Sequence, residues 1–162
     1  MTRAIRAICA LALALAAGSQ PGCESEDACG PAFATVLRVV DGDTLDLGDG
    51  TRVRILGIDA PEAGNAPECG GAQAAEFLDG MLTGRRVALS FDTACFDRYG
   101  RLLAHVRFGD ESAGLALLDR GLACPAFVPP NLAHREAFER AAQVARARGL
   151  GLWGECRPLP CR

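Results

Sequence analysis

Residues 40–62 leave the chain few ways to fold. They read Val-Asp-Gly-Asp-Thr-Leu-Asp-Leu-Gly-Asp-Gly-Thr-Arg-Val-Arg-Ile-Leu-Gly-Ile-Asp-Ala-Pro-Glu. Two tight turns, one at Gly42 and one at Gly48-Asp49-Gly50, separate short β-forming runs. In residues 51–58, Val53, Ile55 and Gly57 alternate with Arg52, Arg54 and Leu56, which predicts a strand with faces of different character. Pro61 fixes its own φ and biases Ala60 away from helix, so Asp59-Ala60-Pro61-Glu62 presents two carboxylates and a backbone carbonyl at a rigid strand end. Asp43 follows a glycine in the first turn, where its carboxylate can be aimed. Carboxylates converging from separate segments are what a hard cation such as Ca²⁺ requires.

The remaining elements follow from periodicity and punctuation. Residues 34–40 and 45–47 read as strands, and with 51–58 they make a meander. Residues 85–91 and 102–108 supply a fourth and a fifth strand. Helices are expected over 72–82, with Ala75, Leu78 and Leu82 on one face, and over 112–120, stopped by Gly121. A longer helix is expected over 132–148, capped by Asn131 and ended by Gly149, with Phe138, Ala141, Ala142 and Ala145 as its buried stripe. Trp153 is expected to pack back on the body. This is an α+β chain, mainly β: a five-stranded OB-fold barrel with three packed helices.

At 162 residues the chain suits one domain. Its start looks like a leader: Arg3 and Arg6 precede an apolar run over 8–17, too short to span a bilayer, with a cleavage site near Ala17-Gly18. The organisation expected is a signal peptide over 1–18, a linker over 19–33, the folded domain over 34–153 and a tail over 154–162. The protein is then secreted or lodged in the periplasm or cell envelope, and a monomer. Removing the leader takes two Arg and no acids, so a formal charge of −3 becomes −5. Cys9 would leave with it. Cys23 is a candidate lipid anchor, although Gln20 stands where an aliphatic residue is expected. Six further cysteines remain, with no CxxC for zinc, so disulfides are the better reading in an oxidising compartment. Fifteen pairings are open, and the loops favour Cys69 with Cys95.

Two constellations carry chemistry. Asp41-Gly42-Asp43 opens like an EF-hand, but Leu45 and Arg52 stand where that loop needs an oxygen ligand and its final Glu. Asp41, Asp46 and Asp49 therefore read as turn residues. The second constellation joins Arg54, Asp59 and Glu62 to Arg101 in Asp97-Arg98-Tyr99-Gly100-Arg101. Two Arg forks beside a cation and a spare carboxylate suit phosphodiester hydrolysis. The bland alternative is a set of surface ion pairs, Arg101 with Asp97 among them. All basic side chains are Arg, which reads as compositional bias. In an acidic chain, attraction to nucleic acid would come from a local face of Arg52, Arg54, Arg98 and Arg101. His105 and His134 read as structural or surface residues.

These motifs carry a resemblance. Asp41-Gly42-Asp43-Thr44, then Arg54-Ile55-Leu56-Gly57-Ile58-Asp59-Ala60-Pro61-Glu62, then Asp97-Arg98-Tyr99-Gly100-Arg101 resemble the staphylococcal nuclease (thermonuclease) family over residues 34–153. Gly121-Leu122-Ala123 and Gly151-Leu152-Trp153 match more weakly. The resemblance implies an exported nuclease that uses Ca²⁺ to cleave DNA and RNA, leaving 3′-phosphates. By it, Asp43, Asp59 and the Ala60 carbonyl hold the cation, Glu62 positions or activates water, and Arg54 and Arg101 bind phosphate. Tyr99 contacts the nucleotide, and Phe127 falls where a base-stacking Tyr is frequent. Ala60 replaces the usual Thr, and Pro129 and Pro130 stand where a second aromatic is common. The rival class is a non-catalytic OB-fold module that binds nucleic acid or a partner. Retention of Asp43, Arg54, Asp59, Glu62 and Arg101 argues against it. A purely calcium-binding domain would leave Arg54 and Arg101 without a use.

Overall fold

Strand β1, Phe33–Asp41, is the longest strand and serves both halves of a barrel. The computed structural model describes residues 26, 27 and 29–161. The expected leader and Cys23 lie outside them. β1 pairs antiparallel with β2, Thr44–Leu47, and β2 pairs with β3, Arg52–Ile55. The start of β1 pairs with β4, Arg86–Ser90, which pairs with β5, Leu102–Phe108. β5 then runs parallel to β3, with Val53 opposite Leu102, and closes the barrel. Two register shifts in the β1–β2 ladder give β1 the bend that closure needs. The expected five-stranded OB-fold barrel is thus present.

The alternation read over residues 51–58 points into this barrel, and Val53 and Ile55 join Val36, Leu45, Leu47, Val87, Leu89, Leu102, Ala104 and Val106 in one buried core. Helix α1, Gly71–Leu82, lays Ala74, Leu78 and Leu82 on the core. Its buried face holds Ala74 where Ala75 was expected. Helix α2, Ala113–Asp119, has the Ser112 side chain accepting from the Leu115 N–H at its start, and Gly121 turns the chain at φ 68° just after its end. Helix α3, Arg135–Ala147, buries Phe138, Ala141, Ala142 and Ala145 as expected. A one-turn helix, α4, Leu152–Glu155, was not anticipated, and it seats Trp153 against the second small core of Cys124, Leu152 and Cys156.

Three expectations need correction. The strand over 51–58 breaks after Ile55: Gly57 takes φ 81°, and Ile58–Asp59 pairs instead with Cys124–Pro125. A side chain on Gly57 would lie 2.7 Å from the Phe138 ring, so only glycine admits α3 this closely. Asn131 does not cap α3. It is buried, donates to the Ala94 carbonyl at 2.9 Å and accepts from the Ala94 N–H at 2.7 Å, and α3 starts later, after His134. The disulfides join Cys29 to Cys95, Cys69 to Cys156 and Cys124 to Cys161, in place of Cys69 to Cys95. The first of these ties the end of the linker stretch to the loop before β5.

Candidate active site

The β1–β2 turn is pressed against two other segments. A side chain on Gly42 would come within 2.6 Å of the Ala60 Cβ and 2.7 Å of the Ala74 Cβ, so glycine alone lets the turn settle between the strand end and α1. Asp41 accepts the Asp43 N–H at 3.2 Å, the side chain-to-backbone turn expected of it. Asp43 is thereby directed inward and is 5% exposed. One carboxylate oxygen accepts from the Thr44 hydroxyl at 2.9 Å, and the other accepts from the Ala60 N–H at 2.9 Å. Burial pushes this carboxyl up to about 7 against the pull of Arg54 and the Ala60 N–H, and Asp41 adds to the rise.

Arg54 draws the acidic residues together. Its Nη2 lies 2.8 Å from an oxygen of Asp43 and 3.0 Å from an oxygen of Asp59. Its Nη1 donates to the carbonyls of Ile55 at 2.9 Å and Ile58 at 2.8 Å, pinning the kinked strand end. Glu62 lies beyond Pro61 and is exposed. Its backbone is fixed on both sides: its N–H donates to a carboxylate oxygen of Glu68 at 3.1 Å, and its carbonyl accepts the Glu68 N–H at 2.8 Å. A side chain on Gly71 would collide with that carbonyl, so the start of α1 also depends on glycine.

The loop before β5 is organised by Asp97. It accepts the backbone N–H groups of Tyr99 at 2.8 Å and Arg101 at 3.0 Å, and the Arg101 Nε at 2.6 Å. Burial pushes Asp97 up, but these hydrogen bonds outweigh it and hold the carboxyl below its usual value. Tyr99 is exposed, with Arg98 4.7 Å and Arg101 5.5 Å from its ring centre. The Arg101–Asp97 ion pair of the bland alternative is therefore present, and it fixes the base of the Arg101 fork.

Arg54, Asp97, Tyr99 and Arg101 line one cleft of about 590 Å³ together with Val128, Pro129 and Pro130. Asp43, Arg54, Asp59 and Ala60 converge as one cluster, and Tyr99 and Arg101 join Arg54 along the cleft. Phe127 does not line it. Its ring turns to Phe138, with centroids 6.2 Å apart, and Arg135 lies 5.6 Å from its centre. The sequence reading missed Phe96, an exposed aromatic on the cleft wall. The signal available was a large apolar residue standing between Cys95 and Asp97 in an otherwise polar loop. It also misread Asp46, which lies in β2 rather than in a turn and carries Arg38 and Arg52.

The cluster suits a hard cation. Two carboxylates from separate segments face one guanidinium nitrogen, so their oxygens already share a position of positive charge. One of them, Asp43, is buried with too little positive charge to stay ionised easily. No group of three or more Asp, Glu, His or Cys side chains forms a metal cluster among the described residues. A cation held by Asp43, Asp59 and the Ala60 carbonyl would complete its shell with water and substrate oxygens.

A closed OB-fold barrel with paired carboxylates, a bridging arginine and a second arginine on the same cleft has the layout of a phosphodiester-cleaving enzyme. A family model described as "Staphylococcal nuclease homologue" matches residues 52–155. The thermonuclease of Staphylococcus intermedius is 40% identical over 124 residues, 73% of this chain and 74% of the relative. That of Staphylococcus hyicus is 36% identical over 124 residues, 73% of each chain. Endonuclease YncB of Bacillus subtilis is 33% identical over 129 residues, 75% of this chain and 61% of the relative. The chain belongs to the staphylococcal nuclease family, and it is a nuclease hydrolase. Asp43 precedes the family match and reaches it in space, through Arg54 and Ala60.

Proposed function

We propose that this nuclease is exported and Ca²⁺-dependent, and that it cleaves DNA and RNA endonucleolytically with water, leaving 3′-phosphates. The observation that carries this reading is the bridge of Arg54 between Asp43 and Asp59, on the same cleft as Arg101. Asp43, Asp59 and the Ala60 carbonyl hold the cation. When bound, Ca²⁺ supplies positive charge to a non-bridging oxygen of the scissile phosphate.

The remaining work falls to side chains. Arg54 spends its Nη donors on two carbonyls and two carboxylates, so it positions the acidic pair and offers its Nε–H to phosphate. Arg101 is held through its Nε by Asp97 and presents its Nη groups, meeting charge as it grows on the phosphoryl oxygens. Glu62 takes a proton from water as the water oxygen attacks phosphorus. The bond from phosphorus to the 5′-oxygen breaks, the phosphate stays on the 3′-oxygen, and the departing oxygen takes a proton from solvent. Tyr99 borders the nucleotide. The three disulfides support export to an oxidising compartment, and no helix among the described residues is long and apolar enough to cross a membrane. The protein acts there as a monomer, free or tethered at Cys23.

Purified protein incubated with DNA and with RNA tests this reading directly. Cleavage is expected with Ca²⁺, little with Mg²⁺, whose tighter octahedral shell fits such a site poorly, and none in chelator. Products should carry 5′-hydroxyls that a polynucleotide kinase labels without prior phosphatase. Undiminished cleavage in chelator removes the cation from the mechanism.

A further inference from the structure

A second groove opens on the other side of Tyr99 and Arg101. It has a volume of about 470 Å³ and is lined by Asp46, Gly50, Arg52, Tyr99, Gly100 and Arg101. Because Tyr99 and Arg101 line both, the groove continues the catalytic cleft across the outer face of the barrel.

Strand register explains how the groove is built. Arg38 lies opposite Asp46 on the β1–β2 ladder, and Asp46 lies opposite Arg52 on the β2–β3 ladder. Val53 lies opposite Leu102 on the parallel β3–β5 ladder, so Arg52 stands next to Arg101. Three neighbouring strands and the residue just before β5 thus carry one transverse row, Arg38, Asp46, Arg52 and Arg101. Neighbouring strands lie about 4.8 Å apart, so the row spans about 14 Å. At about 3.4 Å per nucleotide of stacked strand, that is the length of about four nucleotides.

Asp46 does not make the row acidic. One of its oxygens accepts the Arg52 Nε at 2.7 Å, and the other accepts the Arg52 Nη2 at 3.1 Å and the Arg38 Nε at 2.9 Å. Two guanidinium groups on one carboxylate leave the trio positive. The same bonds fix the Arg52 fork by its Nε–Nη2 edge and leave its Nη1 without a hydrogen-bond partner among the described residues. A planar donor edge held rigid beside a groove pays little ordering entropy when an anion arrives. Asp46 is itself buried, so one arginine satisfies its carboxylate, and the second, reaching solvent, leaves the trio with net positive charge at the surface.

We propose that this groove is a remote backbone subsite: Arg52, with Arg38 at the far end of the row, takes a phosphate of the substrate strand one or more nucleotides from the scissile bond. The proposal rests on the nuclease reading of the adjoining cleft. It gives a net acidic protein a local track for a polyanion, and it makes efficiency depend on substrate length.

Steady-state kinetics on two substrates test it. One is a chromogenic phosphodiester of a single nucleotide, which fills only the cleft. The other is a single-stranded oligonucleotide of about 12 residues, which reaches the groove. Arg52→Gln is expected to raise KM for the oligonucleotide about tenfold more than for the minimal diester, with kcat on the oligonucleotide within about twofold of wild type. The slope of log(kcat/KM) against log salt should shrink by about 0.7, the value for one lost phosphate contact on a single strand. Arg52→Lys should restore much of that slope. Equal penalties on both substrates, or none on the oligonucleotide, overturn the proposal. If wild type cleaves neither substrate, the reading of the catalytic cleft fails instead. Fluorescence anisotropy of the labelled oligonucleotide then decides the groove separately: weaker binding by Arg52→Gln supports it, and binding equal to wild type overturns it.

Discussion

The Asp43 carboxylate accepts the backbone N–H of Ala60 at 2.9 Å, across 17 residues of chain. The bond joins the β1–β2 turn to the kinked end of β3, the two halves of the candidate cation site. It also separates the shape of Asp43 from its charge. Asn at this position keeps an oxygen for Ala60 but cannot serve a cation as a carboxylate does. Asp43→Asn is therefore expected to lower kcat/KM on DNA by about 100-fold or more, with a melting temperature within about 5 °C of wild type. Arg54 keeps Asp59 as a partner in the variant, and a costly buried charge is gone. Paired kinetics and thermal melts check both parts. Near-normal turnover would take Asp43 out of the site.

Arg101 is half-buried, and its Nε is committed to Asp97 at 2.6 Å, so a role in the fold and a role in chemistry both have a structural basis. They predict different losses. A phosphate clamp acting as charge grows loses about 100-fold in kcat on Arg101→Ala, with a much smaller change in KM. Arg101→Lys then recovers little, because an ammonium cannot offer two parallel donors. A loop ion pair loses up to about 1 kcal/mol of stability and leaves turnover almost intact. The expected outcome is the first. Measuring kcat and melting temperature on both variants separates the two.

Among the described residues, three disulfides tie Cys29, Cys156 and Cys161 to the body of the domain. Cys69–Cys156 closes 87 residues and ties the entry of α1 to α4. Peptide mapping without reduction is expected to recover Cys29–Cys95, Cys69–Cys156 and Cys124–Cys161. The double variant Cys69→Ser/Cys156→Ser should be destabilised by about 2–5 kcal/mol in denaturant titration. A recovered Cys69–Cys95 peptide would overturn the pairing.

The barrel was legible in the sequence because short β-forming runs are separated by strong turn signals, and Arg52–Ile55 and Arg86–Ser90 alternate with one face buried. Val53 and Ile55 point inward just where their pattern says. The cluster of Asp43, Arg54 and Asp59 in the candidate site was legible because these residues sit in motifs at or near element ends. What escaped the reading depends on distant partners. Gly57 breaks its strand to admit Phe138 from α3, which no local pattern states. Asn131 reads as a cap, but Ala94, 37 residues away, satisfies both ends of its amide and draws it inside. Phe127 is a suitable aromatic in a suitable stretch, yet its ring turns into the core, while Phe96 from another loop faces the cleft. Cysteine pairing is the extreme case, since it depends on the folded positions of both partners.

His105 offers a test of the core that does not involve catalysis. It lies on β5, 6% exposed, with its Nε2 buried and without a hydrogen-bond partner among the described residues. The His134 ring meets it edge-on at 4.7 Å, and Phe138 lies at 5.9 Å. Burial, the larger cause, and His134 together lower its pKa to about 4, with Asp92 partly offsetting them. Between that value and about 6.5 the unfolded chain takes up a proton that the folded chain refuses. Stability from this residue is therefore whole above about 6.5 and is lost as pH falls toward 4, by up to about 3 kcal/mol. Asp43 works in the opposite direction over part of that window, because its raised pKa lets the folded chain hold the extra proton. The informative quantity is thus a difference that cancels Asp43. His105→Phe keeps an aromatic ring and removes the titrating group. Between pH 7 and 4.5, wild type is expected to lose about 5–10 °C more in melting temperature than the variant. Parallel losses in the two proteins would show that His105 takes its proton in the folded state, and that its pocket is open to water.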